Sequence, residues 1–234
     1  MLALGQDEKI ASFLQVSEFD DKHYVLMVTR NGVVKKTNLT AYSHPRTMGI
    51  NAIKLKNKDV LIACKLTSGK DEIFIATQEG KAIRFNEKQA RDMGRTAGGV
   101  RGMRLGKKDE VIAAEIVNPK ASVLTVTSQG FGKRSEFEDY RLQSRGGKGI
   151  INTKVTAKNG YVVAVLSVTD EDEIIIVTGR SQVVRFPVNQ IRTIGRNTQG
   201  VRVIKLGPKD KVASAIKVVA RGEAGEDSED KSSK

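Results

Sequence analysis

Six-residue runs, mostly apolar and each closing on a threonine, recur along the chain every 48 to 51 residues: Tyr24–Thr29, Glu72–Thr77, Ser122–Thr127 and Glu173–Thr178. Val, Ile and Thr dominate them, the residue types that fit a pleated surface. Several are apolar on both faces, as in Ile174-Ile175-Ile176-Val177, which predicts strands covered on both sides. Turn residues follow, such as Asn31-Gly32 and Glu79-Gly80, and then a second run, such as Val33–Thr37 or Lys81–Phe85. Each pair therefore reads as a hairpin across a two-residue turn.

A second mark advances with the first. It is a glycine followed by apolar, basic and apolar residues: Gly49-Ile50…Lys54-Leu55, Gly99-Val100…Arg104-Leu105, Gly149-Ile150…Lys154-Val155 and Gly200-Val201…Lys205-Leu206. A third strand is expected to start near this glycine, and a fourth near Val60, Val111, Tyr161 and Val212. The step between them ends in the turn formers Asp59, Asp109, Asn159 and Asp210. Four strands in about 50 residues, repeated, is the grammar of a propeller blade. Helical periodicity is weak, with single turns expected at Asn86–Arg91 and Glu136–Leu142.

The expectation is an all-β, propeller-like chain with about four complete four-stranded blades, at 20–69, 70–119, 120–170 and 171–220. Residues 1–19 read as the remnant of a preceding blade, because Leu4–Ala11 resembles Leu105–Ala113 with one residue removed. The chain is thus expected to be part of a longer array, its blades forming an open arc. Residues 221–234 are acidic and nearly free of apolar side chains, which predicts disorder.

An apolar fraction of 39% and a charged fraction of 29% fit a globular core. No apolar run reaches the roughly 18 residues needed to span a bilayer, and no signal-peptide pattern opens the chain. The one cysteine, Cys64, occupies the slot held by Ala114, Ala164 and Ala215, so it reads as a small strand residue. Formal net charge is +13, and the acidic last fourteen residues leave the excess in 1–220. A body this basic implies a polyanionic partner, nucleic acid or an anionic membrane surface. His23 and His44 lack ligand spacing, and no acid, base and nucleophile recur together; the chain alone is expected to be catalytically inert.

Charge concentrates in one kind of loop. Gln143-Ser144-Arg145-Gly146-Gly147-Lys148-Gly149 carries three glycines, whose backbone N–H groups could face an approaching anion, with Arg145 and Lys148 beside them. Arg95 and Arg196 hold the matching position in neighbouring units, with Arg46 in a weaker copy. Arg91, Arg141 and Arg192 precede the loops, and Lys36, Arg84, Arg134 and Arg185 lie on the hairpins. Recurring once per unit, these residues would form a periodic positive stripe. With no Trp, stacking on single strands is disfavoured against sequence-independent binding of duplex DNA.

In these features residues 1–220 resemble the C-terminal domains of DNA gyrase A, among the type IIA topoisomerases. The resemblance implies a β-pinwheel, a hairpin-invaded relative of the propeller, whose basic rim wraps duplex DNA. The family's signature box is Gln, basic, Arg, Gly, Gly, basic, Gly. Residues 143–149 match it except at Ser144, and they lie in the third complete unit, as a degenerate copy. The resemblance further implies partners in the remainder of gyrase A and in gyrase B, and a bacterial cytoplasmic, nucleoid-associated setting. No cofactor is expected in this chain, ATP and magnesium being used elsewhere in the intact enzyme. The alternatives are the homologous domain of topoisomerase IV and, from another class, a protein-interaction propeller. Absent Trp-Asp and Gly-His repeat signatures weigh against the latter.

Overall fold

A computed structural model describes residues 9–44, 46, 49–56 and 58–218. The expected strand remnant within 1–8 and the tail 221–234 lie outside the described residues. Each apolar run is a strand, and each pairs with the run that follows it. The hairpins are β1 (Tyr24–Thr29) with β2 (Val33–Asn38), β4 (Glu72–Thr77) with β5 (Lys81–Asn86), β8 (Ser122–Thr127) with β9 (Phe131–Glu136), and β12 (Glu173–Thr178) with β13 (Val183–Pro187). The inner strands β3 (Leu61–Thr67), β7 (Val111–Ile116), β11 (Val162–Val168) and β15 (Val212–Val218) complete the other side of each sheet.

The third strand of a unit does not join its own sheet. β6 (Val100–Arg101), β10 (Ile150–Ile151) and β14 (Val201–Arg202) each cross to the outer edge of the preceding unit's hairpin, pairing with β2, β5 and β9. The sheets therefore run β3-β1-β2-β6, β7-β4-β5-β10, β11-β8-β9-β14 and β15-β12-β13, three of four strands and one of three. This strand exchange makes the molecule a β-pinwheel. In the first unit, no strand forms at 49–56. Residues 9–19 also form none; Leu14 and Val16 instead pack on the face of Val25, Met27 and Leu39. The expected single turns are short 3-10 turns at Glu87–Gln89 and Phe137–Asp139, with others at Leu39–Tyr42 and Val188–Gln190.

The hairpin turns differ from the expected two-residue type. Three residues separate the strand ends in the first three hairpins, and Gly32, Gly80 and Gly130 take φ near +77° at the third position. Gly32 N–H bonds the Thr29 carbonyl at 3.0 Å, a type I turn closed by a left-handed residue. Ser181 fills that slot in the fourth unit at φ +63°. Asp59, Asp109 and Asp210 brace these turns by accepting backbone N–H bonds, Asp59 from Asn31 at 3.0 Å and Asp109 from Glu79 at 2.9 Å.

Apolar clusters fill the spaces between consecutive sheets. Leu26, Val28 and Val34 of the first meet Ile73, Ile75 and Phe85 of the second; Phe74 and Ala76 meet Val123, Phe137 and Tyr140; Leu124 and Val126 meet Ile174, Ile176 and Val188. Phe74 sits edge-on to Tyr140 with ring centroids 4.8 Å apart. Sheets covered on both faces explain why their strands lack polar alternation. β12 is the exception: Ile174 and Ile176 are buried, while Ile175 and Val177 on the other face are only half-buried. The inner strands of successive sheets pack together and line a central cleft of about 410 Å³ that includes Cys64, Ala114, Ala164 and Ala215. Cys64 is half-buried there, and burial pushes its thiol above the usual range.

Candidate nucleic-acid interface

Both marks in the sequence belong to one joint between units. The turn-glycine carbonyl of each of the first three hairpins accepts two N–H groups from the next unit: Gly32 from Gly102 and Met103 at 2.8 and 3.1 Å, Gly80 from Asn152 and Thr153 at 2.8 and 3.1 Å, and Gly130 from Val203 and Ile204 at 2.9 and 3.3 Å. The repeat glycine lies at the other end of the same invading segment, where the chain presses on its neighbour's backbone. At Gly149 (φ +69°) an added Cβ would stand 2.4 Å from the Ala82 carbonyl oxygen, a contact no side chain tolerates.

The glycine-rich loops arise at these joints, between a 3-10 turn and an invading strand. The Arg145 guanidinium donates to the carbonyls of Gln89 at 2.8 Å and Arg101 at 2.7 Å, while the Arg145 backbone N–H donates to Gln89 Oε1 at 2.7 Å. Arg196 repeats this on Asp139 at 3.1 Å and Ile151 at 2.8 Å. These arginines clamp the preceding unit and remain half-exposed. Arg95 and Arg46 face one cleft of about 520 Å³, with Gly49, Ile50, Asn51 and Thr96. Lys148, Arg91, Arg141 and Arg192 are exposed, and no side-chain partner is found for them among the described residues.

Several sequence candidates have other work. Gly146 N–H bonds the Gly102 carbonyl at 2.6 Å and so cannot present itself to an anion. Gln143 has a buried Nε2 without a partner, and its backbone N–H bonds the Arg84 carbonyl at 2.8 Å. Lys36 is buried, 4.9 Å from the Tyr24 ring centroid and 3.4 Å from the Glu87 carbonyl. Arg84 pairs with Glu72 at 2.5 Å and bonds the Phe137 carbonyl at 2.7 Å; Arg134 pairs with Asp170 and bonds the Ile191 carbonyl at 2.8 Å. Lys36, Arg84 and Arg134 thus pin the next unit's 3-10 turn from the core side. They are not surface charges, contrary to the sequence expectation. Arg185 pairs with Glu173 in its own hairpin and stays 60% exposed.

The sequence profile described as "DNA gyrase C-terminal domain, beta-propeller" matches four segments, 23–68, 71–118, 121–169 and 172–218. The chain belongs to the DNA gyrase C-terminal domain family. It is 43% identical over 218 residues to the A subunit of DNA gyrase from Escherichia coli (strain K12), covering 93% of this chain and 25% of that one. The corresponding gyrase protein of Clostridium acetobutylicum is 45% identical, with 93% and 26% covered. The chain therefore spans about a quarter of the length of these curated relatives. Among solved structures it is similar to a C-terminal domain of DNA topoisomerase IV (TM-score 0.84, 29% identity, 92% of this chain and 68% of that one). It is also similar to a DNA gyrase A C-terminal domain (TM-score 0.83, 26% identity, 93% and 73%).

In this gyrase C-terminal domain the geometry adds four residues to the basic loops. Lys54, Arg104, Lys154 and Lys205, the basic members of the second sequence mark, are all exposed. Three touch the next unit's loop through their backbones: Lys54 N–H to the Ala97 carbonyl at 3.2 Å, Arg104 to Gly147 at 2.8 Å, and Lys154 to Thr198 at 2.9 Å. Each joint therefore places a solvent-facing cation from one unit beside the glycine-rich loop of the next. Their periodicity was available in the sequence. Their proximity to the loops was not, because it depends on the strand exchange. Among the described residues no cluster of His, Cys, Asp or Glu could hold a metal ion, and no helix is long and apolar enough to cross a membrane.

Proposed function

We propose that the chain binds duplex DNA without reading its sequence and bends it along a track of joint cations, as the C-terminal part of a DNA gyrase A protein. The observation that carries this reading is the recurrence, at three joints, of an exposed cation of one unit whose backbone bonds the basic loop of the next: Lys54 at the loop of half-exposed Arg95, Arg104 at the loop of exposed Lys148, and Lys154 at the loop of half-exposed Arg196. Smoothly bending 20–30 base pairs by 40–90° costs about 1–6 kcal/mol. Phosphate neutralisation at regular steps along a curved surface offsets that cost and needs no base contact. Backbone joints hold the cations at fixed intervals, so little ordering entropy is lost when DNA arrives.

On this reading the chain carries no cofactor and performs no cleavage. The remainder of gyrase A, together with gyrase B, supplies the strand gate, and ATP and magnesium act there. Wrapped DNA is handed to that gate, so that strand passage introduces negative supercoils in the cytoplasm, on the nucleoid. Equilibrium binding to a duplex across a salt series tests the proposal. We expect log K to fall linearly and steeply with log salt, and the triple substitution K54A/R104A/K154A to flatten the slope by roughly 2 to 3, near 0.9 per lost phosphate contact. A salt-independent affinity, or a triple variant with the parental slope, would overturn it.

A further inference from the structure

Two lysines lie under the glycine-rich loops, hidden from solvent. Lys35 on β2 is 0% exposed and Lys133 on β9 is 1% exposed. Lys35 Nζ donates to the carbonyls of Ala52 at 2.5 Å and Arg95 at 2.7 Å. Lys133 Nζ donates to Ser135 Oγ and the Gly195 carbonyl, each at 3.1 Å, and to the Arg196 carbonyl. Ser135 Oγ itself donates to the Ile194 carbonyl at 2.8 Å, so toward Lys133 it is an acceptor. Both lysines therefore reach the carbonyl of a loop arginine. The same slot holds the buried Ile83 in the second unit, which lies 3.6 Å from a Cβ position on Gly147. Under that loop the support is apolar contact instead of charge.

We propose that Lys35 and Lys133 are positioning residues for the DNA track, each ammonium drawing the loop's carbonyls inward so that the outer face of the loop is turned to the phosphates. Three acceptors converge on Lys133, and only the ammonium has three protons for them. An amine at that point would set a lone pair against one of the oxygens. Burying the charge is costly, and that cost holds Lys133 down to about 7, with Arg196 lowering it further and Asp139 opposing. Lys35 is held to about 8 by the same desolvation, with Arg95 adding to it and Asp92 opposing. Phosphates docked above the loops favour the ammonium, so binding raises the lysines' proton affinity. Duplex affinity is then full below pH 7 and declines as the lysines deprotonate above it, with proton uptake on binding between pH 7 and 8.5.

The inference rests on the DNA-binding reading, and the experiment separates the two. Amide hydrogen exchange on the 234-residue chain without DNA is compared for the parent and K133M. We expect exchange at 195–200 to speed up at least tenfold while 144–149 keeps its protection; equal protection of both loops would overturn the positioning role whatever DNA does. With a duplex at fixed salt, the parent's affinity should fall about three- to tenfold from pH 7 to pH 8.5, and K35M/K133M should abolish that decline. K133M and R196A should combine non-additively, whereas K133M and R91A should add. An undiminished pH dependence in K35M/K133M, or additivity of K133M with R196A, would overturn the proposal. A parent that binds no duplex at low salt would sink the DNA reading, leaving the exchange result to stand alone.

Discussion

Arginine and lysine serve different purposes here, and burial separates the structural ones from the open ones. Arg134 is 11% exposed, tied to Asp170 and to the Ile191 carbonyl, so it holds two units together. Arg134→Met should lower stability by about 1–3 kcal/mol, the cost of leaving a buried acceptor unpaired, and leave the salt slope of DNA binding unchanged. Denaturant unfolding alongside the binding series checks both halves. Arg104, by contrast, is exposed and should show the reverse pattern. Residue type alone cannot tell these apart: Lys35 and Lys36 are adjacent and identical, and both are buried because both faces of β2 are covered. Asp210 adds a pH signature. The Thr178 side chain beside it, with the N–H groups that it accepts from Lys211 and Arg180, holds its carboxyl below the usual 3.8. A lowered folded-state value means its stabilisation is present above the unfolded-state value and is lost as pH falls through the folded one. The stability gap between the parent and Asp210→Asn should accordingly be widest near neutrality and close on acidification, measured by melting temperature against pH.

The hairpins and inner strands were legible because strand runs, turn residues and their order are local properties. The destination of the third strand was not. β6 pairs with β2 some 67 residues earlier in the chain, and apolar patterning marks a segment as a strand without naming its partner. The glycine at its start marks the joint in three units, where Gly99, Gly149 and Gly200 combine positive φ with a neighbouring backbone carbonyl against the Cα; Gly49 has the positive φ alone. Gly149→Ala should cost more than about 2 kcal/mol, combining the left-handed strain of order 1–3 kcal/mol with the clash on Ala82. Gly94→Ala, with nothing within 4 Å of the added Cβ and no positive φ, should fall within about 0.5 kcal/mol of the parent. Thermal unfolding of the pair tests whether the repeat glycine marks a joint or merely a flexible loop. The candidate site was legible to a similar degree. The glycine-rich loops and their charges stood out, while the division between clamping arginines and open cations depended on the neighbour.

Across the whole molecule, the proposed DNA track depends on the joints recurring. The net +13 says that a polyanion is attractive; spacing says how it could lie. Three joints share one construction, in which a turn-glycine carbonyl of one unit receives two N–H groups from the next, and the basic loop emerges beside that contact. The second and third units thus each carry a socket on the hairpin and a plug in the invading segment. A duplicated unit inserted into such an array brings both halves of the connection with it and meets compatible neighbours on either side. Blade number can therefore grow by copying whole units, and every copy lengthens the cationic path by one step without any new interface having to be invented.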